Sequence, residues 1–251
     1  MPQKRRYGWL RDLPDHRDFP FLAPRSLLVL PDSVDLRPQC PPIYDQGKLG
    51  SCTAHAISAA FDFENYRQTG NFLAPSRLFL YYNERDMEGT VTSDAGAQIR
   101  DGIKSVASLG LCPESDWSYD PDKFSLHPPP NCYADAVKHT SLSYWSVNQN
   151  ISDFKACLAQ GFPFAFGFAV YESFEDDSTS ATGEVSMPDQ SETMLGGHAV
   201  LAVGYDDVED WIVCRNSWGA DWGDSGYFYL PYPYVSSPKL ASDFWTIRAV
   251  T

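Results

Sequence analysis

Cys52 stands in the stretch YDQGKLGSCTAHAISAAF, with Gln46 upstream of it and an Ala-rich apolar run behind it. A thiol in the first turn of a helix meets unpaired backbone N–H groups and the positive end of the helix dipole, and both favour the thiolate. Gln46, held by a turn at Gly47, can aim its amide N–H at a developing oxyanion, with the backbone N–H of Cys52 as second donor. Far downstream, GGHAVLAVGYDDVEDWIVCRNSWG reads as a β-hairpin centred on Asp207. A symmetric antiparallel register pairs Val203 with Trp211 and Leu201 with Val213, and sets His198 opposite Asn216. An amide beside an imidazole fixes one tautomer and one orientation, as a general base requires. Thiol, imidazole, amide and oxyanion donor together are the parts of nucleophilic acyl transfer. Cys52 as a structural thiol is the plainer alternative. His55, one helical turn along from Cys52, is a rival base with nothing evident to orient it.

These residues need elements to hold them. From Cys52 the apolar spacing predicts a helix that Gly70 stops; PSRLFLYYNERD and AQIRDGIKSVASLG predict two more, the last ending at Gly110. The Pro-rich stretch LCPESDWSYDPDKFSLHPPPNC marks the passage to a second half. There HTSLSYWSV, PFAFGFAVY, HAVLAVGY, WIVCRNSW and GYFYL read as strands, and ISDFKACLAQG as a short helix. The acidic segment between Tyr171 and Glu192 reads as a solvated loop. Residues 1–29 read as an irregular arm, made basic by Lys4, Arg5, Arg6, Arg11 and Arg17. The rest, 30–251, reads as one domain, mainly helical over about 45–125 and mainly β over about 126–251.

Lys plus Arg number 19 and Asp plus Glu 33, a net charge of −14. Such a chain is a poor nucleic-acid binder and mildly favours cationic partners. No apolar run approaches the roughly 18 residues of a membrane span, and the basic N-terminus lacks the apolar core of a secretory signal. Cytoplasm is therefore the default expectation. Six cysteines occur, none in a CxxC pair, so a zinc knuckle is disfavoured. Cys157 and Cys214 lie in apolar runs and read as buried thiols. Cys40, Cys112 and Cys132 flank prolines and are the better disulfide candidates.

QGKLGSC, GGHAV and above all RNSWGADWGDSGYFYL resemble the papain-like (cathepsin-type) cysteine peptidases, and LPDSVDLR at 30–37 resembles the start of their mature domain. His198 follows Cys52 at a separation inside the roughly 130–150 residues given for this family. The resemblance implies an α+β, two-lobed fold: a helical left half, an antiparallel β-barrel-like right half, and a cleft between them. It implies Cys52 as nucleophile, His198 as base, Asn216 as its orienter and Gln46 in the oxyanion hole. It implies Trp218 as a cover over the His–Asn pair and Gly96 as a binder of substrate backbone. Asp243 falls near the family's specificity-pocket strand. No metal or organic cofactor is implied, and the partner is a peptide or protein substrate. A transpeptidase using the same site, and a catalytically silent binding protein, are the alternatives. Leu49 and Thr53 replace the family's usual Cys and Trp, so one usual disulfide is absent. The arm is shorter than the family's pro-segments, and its basic residues suggest docking over an acidic body as a self-inhibitor.

Overall fold

The computed structural model describes residues 6–16, 18–22 and 29–251. Three helices lead: α1 (Cys52–Thr69), α2 (Arg77–Glu88) and α3 (Ile99–Ser108). Gly70 ends α1 in the left-handed conformation, and Ser76 caps α2 by accepting from the N–H of Phe79. Every residue of α1 from Cys52 to Glu64 is buried. The sequence suggested one apolar stripe, but the small Ala54, Ala56, Ala59 and Ala60 let α1 be enclosed on all sides, between the other two helices and the sheet. The thiol at its first residue, Cys52, therefore sits on a rigid support.

The sheet has seven strands, all antiparallel. Strands β1 (Ser141–Ser146), β2 (Phe164–Tyr171), β3 (Met194–Asp206), β4 (Trp211–Arg215), β5 (Tyr227–Pro231) and β6 (Ala241–Val250) run in the order β1-β6-β2-β3-β4-β5. Ser33–Asp35 adds a short strand against β3. The sheet remains open, with no pairing between β1 and β5. Among the described residues no helix is long and apolar enough to cross a membrane.

Three expectations need correction. The β3–β4 register is not symmetric about Asp207. Leu201 pairs with Arg215 and Tyr205 with Ile212, with an irregularity between Ala202 and Gly204. A bulge there, and a turn ending at left-handed Asp210, slide the strands by two to three residues. Secondly, the acidic segment is not plain loop: it holds short helices at 172–175 and 177–182, pinned by buried Phe174 against Trp218, Trp222 and Phe228. Thirdly, all six cysteines are free thiols. Cys112 and Cys132 face each other as thiols, and Cys40 donates to the Leu36 carbonyl. The neighbouring prolines turn the chain inward, so these sulfurs pack as small apolar groups.

Candidate active site

Despite the shifted register, His198 and Asn216 meet. His198 Nε2 lies 2.8 Å from Asn216 Oδ1, which also accepts the Ser217 N–H at 2.8 Å. An amide oxygen only accepts, so Nε2 carries the proton and Nδ1 is the nitrogen able to take one. The pair is diagonal across the hairpin rather than directly opposite. The Trp218 ring lies over the imidazole, with centroids 4.9 Å apart, and Trp222 stands edge-on to it at 5.1 Å. Both members of the pair are buried.

Cys52 opens α1, and its thiol takes hydrogen bonds from the backbone of Ala199, the residue after His198, and of Gly8. Burial pushes this thiol up to about 12, outweighing the amides around it. The helix N-terminus was expected to lower it. The difference comes from burial: the thiol is wholly covered, with Gly8 of the arm among the groups against it. Gln46 is oriented at both ends of its amide: Oε1 accepts from Ser217 Oγ at 2.7 Å, and Nε2 donates to Leu49 O at 2.9 Å and to Arg6 O at 3.3 Å. His55 is spoken for. Its Nδ1 donates to the Ser51 carbonyl at 2.9 Å, and burial, with the Arg77 charge behind it, drops its pKa to about 3. It stays neutral as a packing residue. Thr53 bonds Glu84 inside the helical layer.

Residues 6–12 run along this site. Trp9–Leu10 pairs in parallel with Ala97–Gln98, and the Ala97 N–H donates to Gly8 O at 2.8 Å. Gly8 is wedged between backbones. A Cβ on it would lie 1.7 Å from Gly50 O, and a Cβ on Gly96 would lie 2.2 Å from Gly8 O. The Trp9 indole occupies space left by Gly167 and Gly197, where Cβ atoms would fall 1.9 and 2.6 Å from it. Its Nε1 donates to Asp243 Oδ2 at 3.0 Å. The Tyr7 ring lies 6.4 Å from both His198 and Trp218. Six of the seven residues singled out from sequence, Gln46, Cys52, Gly96, His198, Trp218 and Asp243, thus border the path of the arm, and Asn216 is bonded to His198. Ser217, Gly8, Gly167 and Gly197 were given no role from sequence, although Ser217 lies inside the RNSWG string and Gly197 inside GGHAV. Among the described residues no cluster of His, Cys, Asp and Glu suits a metal ion.

Comparison with known proteins places the chain in a family. The family model described as papain family cysteine protease matches residues 30–239. An uncharacterized peptidase C1-like protein of Acanthamoeba polyphaga mimivirus is 41% identical over 98% of this chain and 88% of its own length. A cathepsin L-like peptidase of Aedes aegypti is 30% identical over 82% of this chain, which spans 60% of that relative. Among solved structures, xylellain, a cysteine protease from Xylella fastidiosa, superposes with a TM-score of 0.91 at 44% identity, covering 100% of both chains. The fold extends to procathepsin L 3 of Tenebrio molitor, with a TM-score of 0.68 at 21% identity. With the family model matched over residues 30–239 and xylellain matched over both whole chains, the chain belongs to the papain family and is a cysteine peptidase.

Proposed function

We propose that Cys52, His198, Asn216 and Gln46 form the site of an endopeptidase that works through a thioester, and that residues 6–12 hold it closed. The observation that carries this is the fixed tautomer of His198, with Nε2–H on Asn216 and the thiol bonded to the very next residue, Ala199. In the open enzyme Nδ1 takes the Cys52 proton and the thiolate attacks the substrate carbonyl. The Gln46 amide and the Cys52 N–H stabilise the tetrahedral oxyanion. His198 then protonates the leaving amine and activates the water that cleaves the thioester. Trp218 shields the His–Asn bond from water. Gly96, left-handed and bare of a side chain, leaves room for a substrate backbone where Gly8 now lies. Asp243 offers a carboxylate in the pocket filled by Trp9, which suits a substrate side chain that is cationic or bears an N–H.

Closure by the arm follows from its pose. Gly8 presents its N–H to the sulfur, and its carbonyl is engaged by Ala97. The Gly8 carbonyl is thus turned to Ala97 rather than offered to the thiol, a pose that blocks the site. Cys52→Ala must abolish cleavage of a quenched peptide while the protein remains folded, and a thiol-directed epoxide must label Cys52 ahead of the other five thiols. Full activity in Cys52→Ala would sink the mechanism. Product masses with an added amine separate hydrolysis from transpeptidation, and a peptide library tests the Asp243 pocket.

A further inference from the structure

Asp94 lies in the bend between α2 and Gly96, and its side chain is only 8% exposed. Its Oδ1 accepts the Tyr81 O–H at 2.6 Å and the Gly50 N–H at 3.0 Å. Its Oδ2 accepts the same Gly50 N–H at 3.2 Å and the Arg6 guanidinium at 2.9 Å. Tyr81, itself buried, accepts the Gly96 N–H at 3.1 Å. One carboxylate thus joins the loop ahead of the nucleophile, the glycine wall of the cleft, and the arm. These three segments meet at no other side chain named above.

The loop from Gln46 to Gly50 is short and rich in glycine, so its position depends on what anchors it. Gln46 Nε2 ties it at Leu49 O, and Asp94 ties it at Gly50 N. Displacement of Gly50 would carry along both oxyanion donors, the Gln46 amide and the N–H of Cys52. Losses of this kind are steep, because a misplacement of about 1 Å can cost about a hundredfold in rate.

We propose that Asp94 is a positioning residue for the nucleophile loop and that, through Arg6, the same carboxylate latches the arm. The proposal rests on the reading of Cys52 as nucleophile. The two roles separate by substitution. Arg6→Ala removes the latch and leaves the Gly50 anchor. Asp94→Asn keeps one oxygen for Gly50 and Tyr81 but loses the charge that holds Arg6. Asp94→Ala loses both and strands the Gly50 N–H and Tyr81 O–H.

The test uses the full chain and reads three quantities: the alkylation rate of Cys52 by iodoacetamide across pH, kcat per titrated thiol, and KM. All three variants are expected to speed alkylation at neutral pH several-fold. Only Asp94→Ala is expected to lower kcat, by about 10- to 100-fold with KM within about threefold, and Asn is expected to restore kcat to within about threefold. Equal kcat in Asp94→Ala and Arg6→Ala overturns the positioning role; unchanged alkylation in Arg6→Ala and Asp94→Asn overturns the latch. Should no variant cleave peptide, the catalytic reading fails on its own. The alkylation profile then decides: Asp94→Ala must need a higher pH than Arg6→Ala, and coincident profiles overturn the positioning role.

Discussion

Gly8→Ala is the sharpest probe of the closed site. Gly8 does not need glycine for its backbone, since it is absent from the residues with positive φ. Only contact forbids a side chain. A methyl there would sit 1.7 Å from the Gly50 carbonyl oxygen and 2.4 Å from its carbon, and both are backbone atoms that cannot swing aside. Gly50 is anchored by Asp94, and Gly96 closes the opposite side of Gly8. Overpacking of this kind costs about 1–3 kcal/mol. The body supplies its contacts with or without the arm, so the strain falls on the docked state alone. It shifts the open-to-closed ratio by about 5- to 150-fold. If the wild-type chain is mostly closed, peptide turnover and Cys52 alkylation rise by the same factor. Opening also returns water to the sulfur, so the alkylation midpoint must fall from the high value that burial imposes, about 12 in the docked state. Phe21, which packs beside Trp145, still pins the distal arm, so Tm moves only slightly. The reasoning is refuted if turnover and alkylation match the wild type while Tm drops by the roughly 2–4 °C that each kcal/mol costs a fold of this size.

Docking should weaken with rising pH. Burial, then the nearby Asp243 charge, raises the Asp12 carboxyl to about 7 against 3.8 when free, so its docked form prefers the proton. The contribution is whole below about pH 4 and shrinks by at most about 4 kcal/mol as pH climbs to 7; Asp12→Asn, compared by alkylation rate, should flatten that dependence. Asn216→Ala removes a buried hydrogen bond that becomes charge-assisted when His198 is protonated, and kcat should fall about 10- to 150-fold at the roughly 1.5–3 kcal/mol such a bond contributes. Gln46→Ala should cost about 100- to 1000-fold in kcat in an opened variant such as Gly8→Ala, as loss of an oxyanion donor does. In the wild-type background it should also speed alkylation, because its contact with Arg6 O is lost.

The helices and strands were legible because their signals are local. Gly70 ends α1, Ser76 caps α2, and the apolar runs of β2 and β3 lie where the pattern put them. The hairpin register was not, because a bulge near Val203 leaves no trace in an alternation of Ala, Val and Leu. His198 and Asn216 still came together, since a two-residue slip preserves the face of a strand and makes direct partners diagonal ones. The thiol environment misled for another reason. A helix N-terminus can be read from the chain, but the arm that desolvates Cys52 comes from more than forty residues away, and nothing local announces it. Phe174 shows the same limit inside an acidic stretch, where one aromatic outweighed the polar composition around it.

The arm also shows where composition arguments break down. Five basic residues on an acidic body suggested docking by charge. Of these, Lys4, Arg5 and Arg17 lie outside the described residues, Arg6 meets Asp94, and Arg11 donates to a backbone carbonyl. Among the described residues the arm's other ion pairs run with opposite polarity: Asp18 and Asp15 of the arm meet Arg100 and Lys104 of α3. Around the cleft the contacts are of another kind, namely the Gly8 carbonyl on Ala97, the Trp9 indole against Gly167 and Gly197, and the Asp12 N–H on Asp243. Net charge sets long-range attraction, which salt screens over about 8–10 Å. It does not choose which backbone fits between two glycines. That choice rests on shape: Gly50, Gly96, Gly167, Gly196 and Gly197 are bare positions of the body that receive the arm, and in the function proposed above they would receive a substrate once the arm has left.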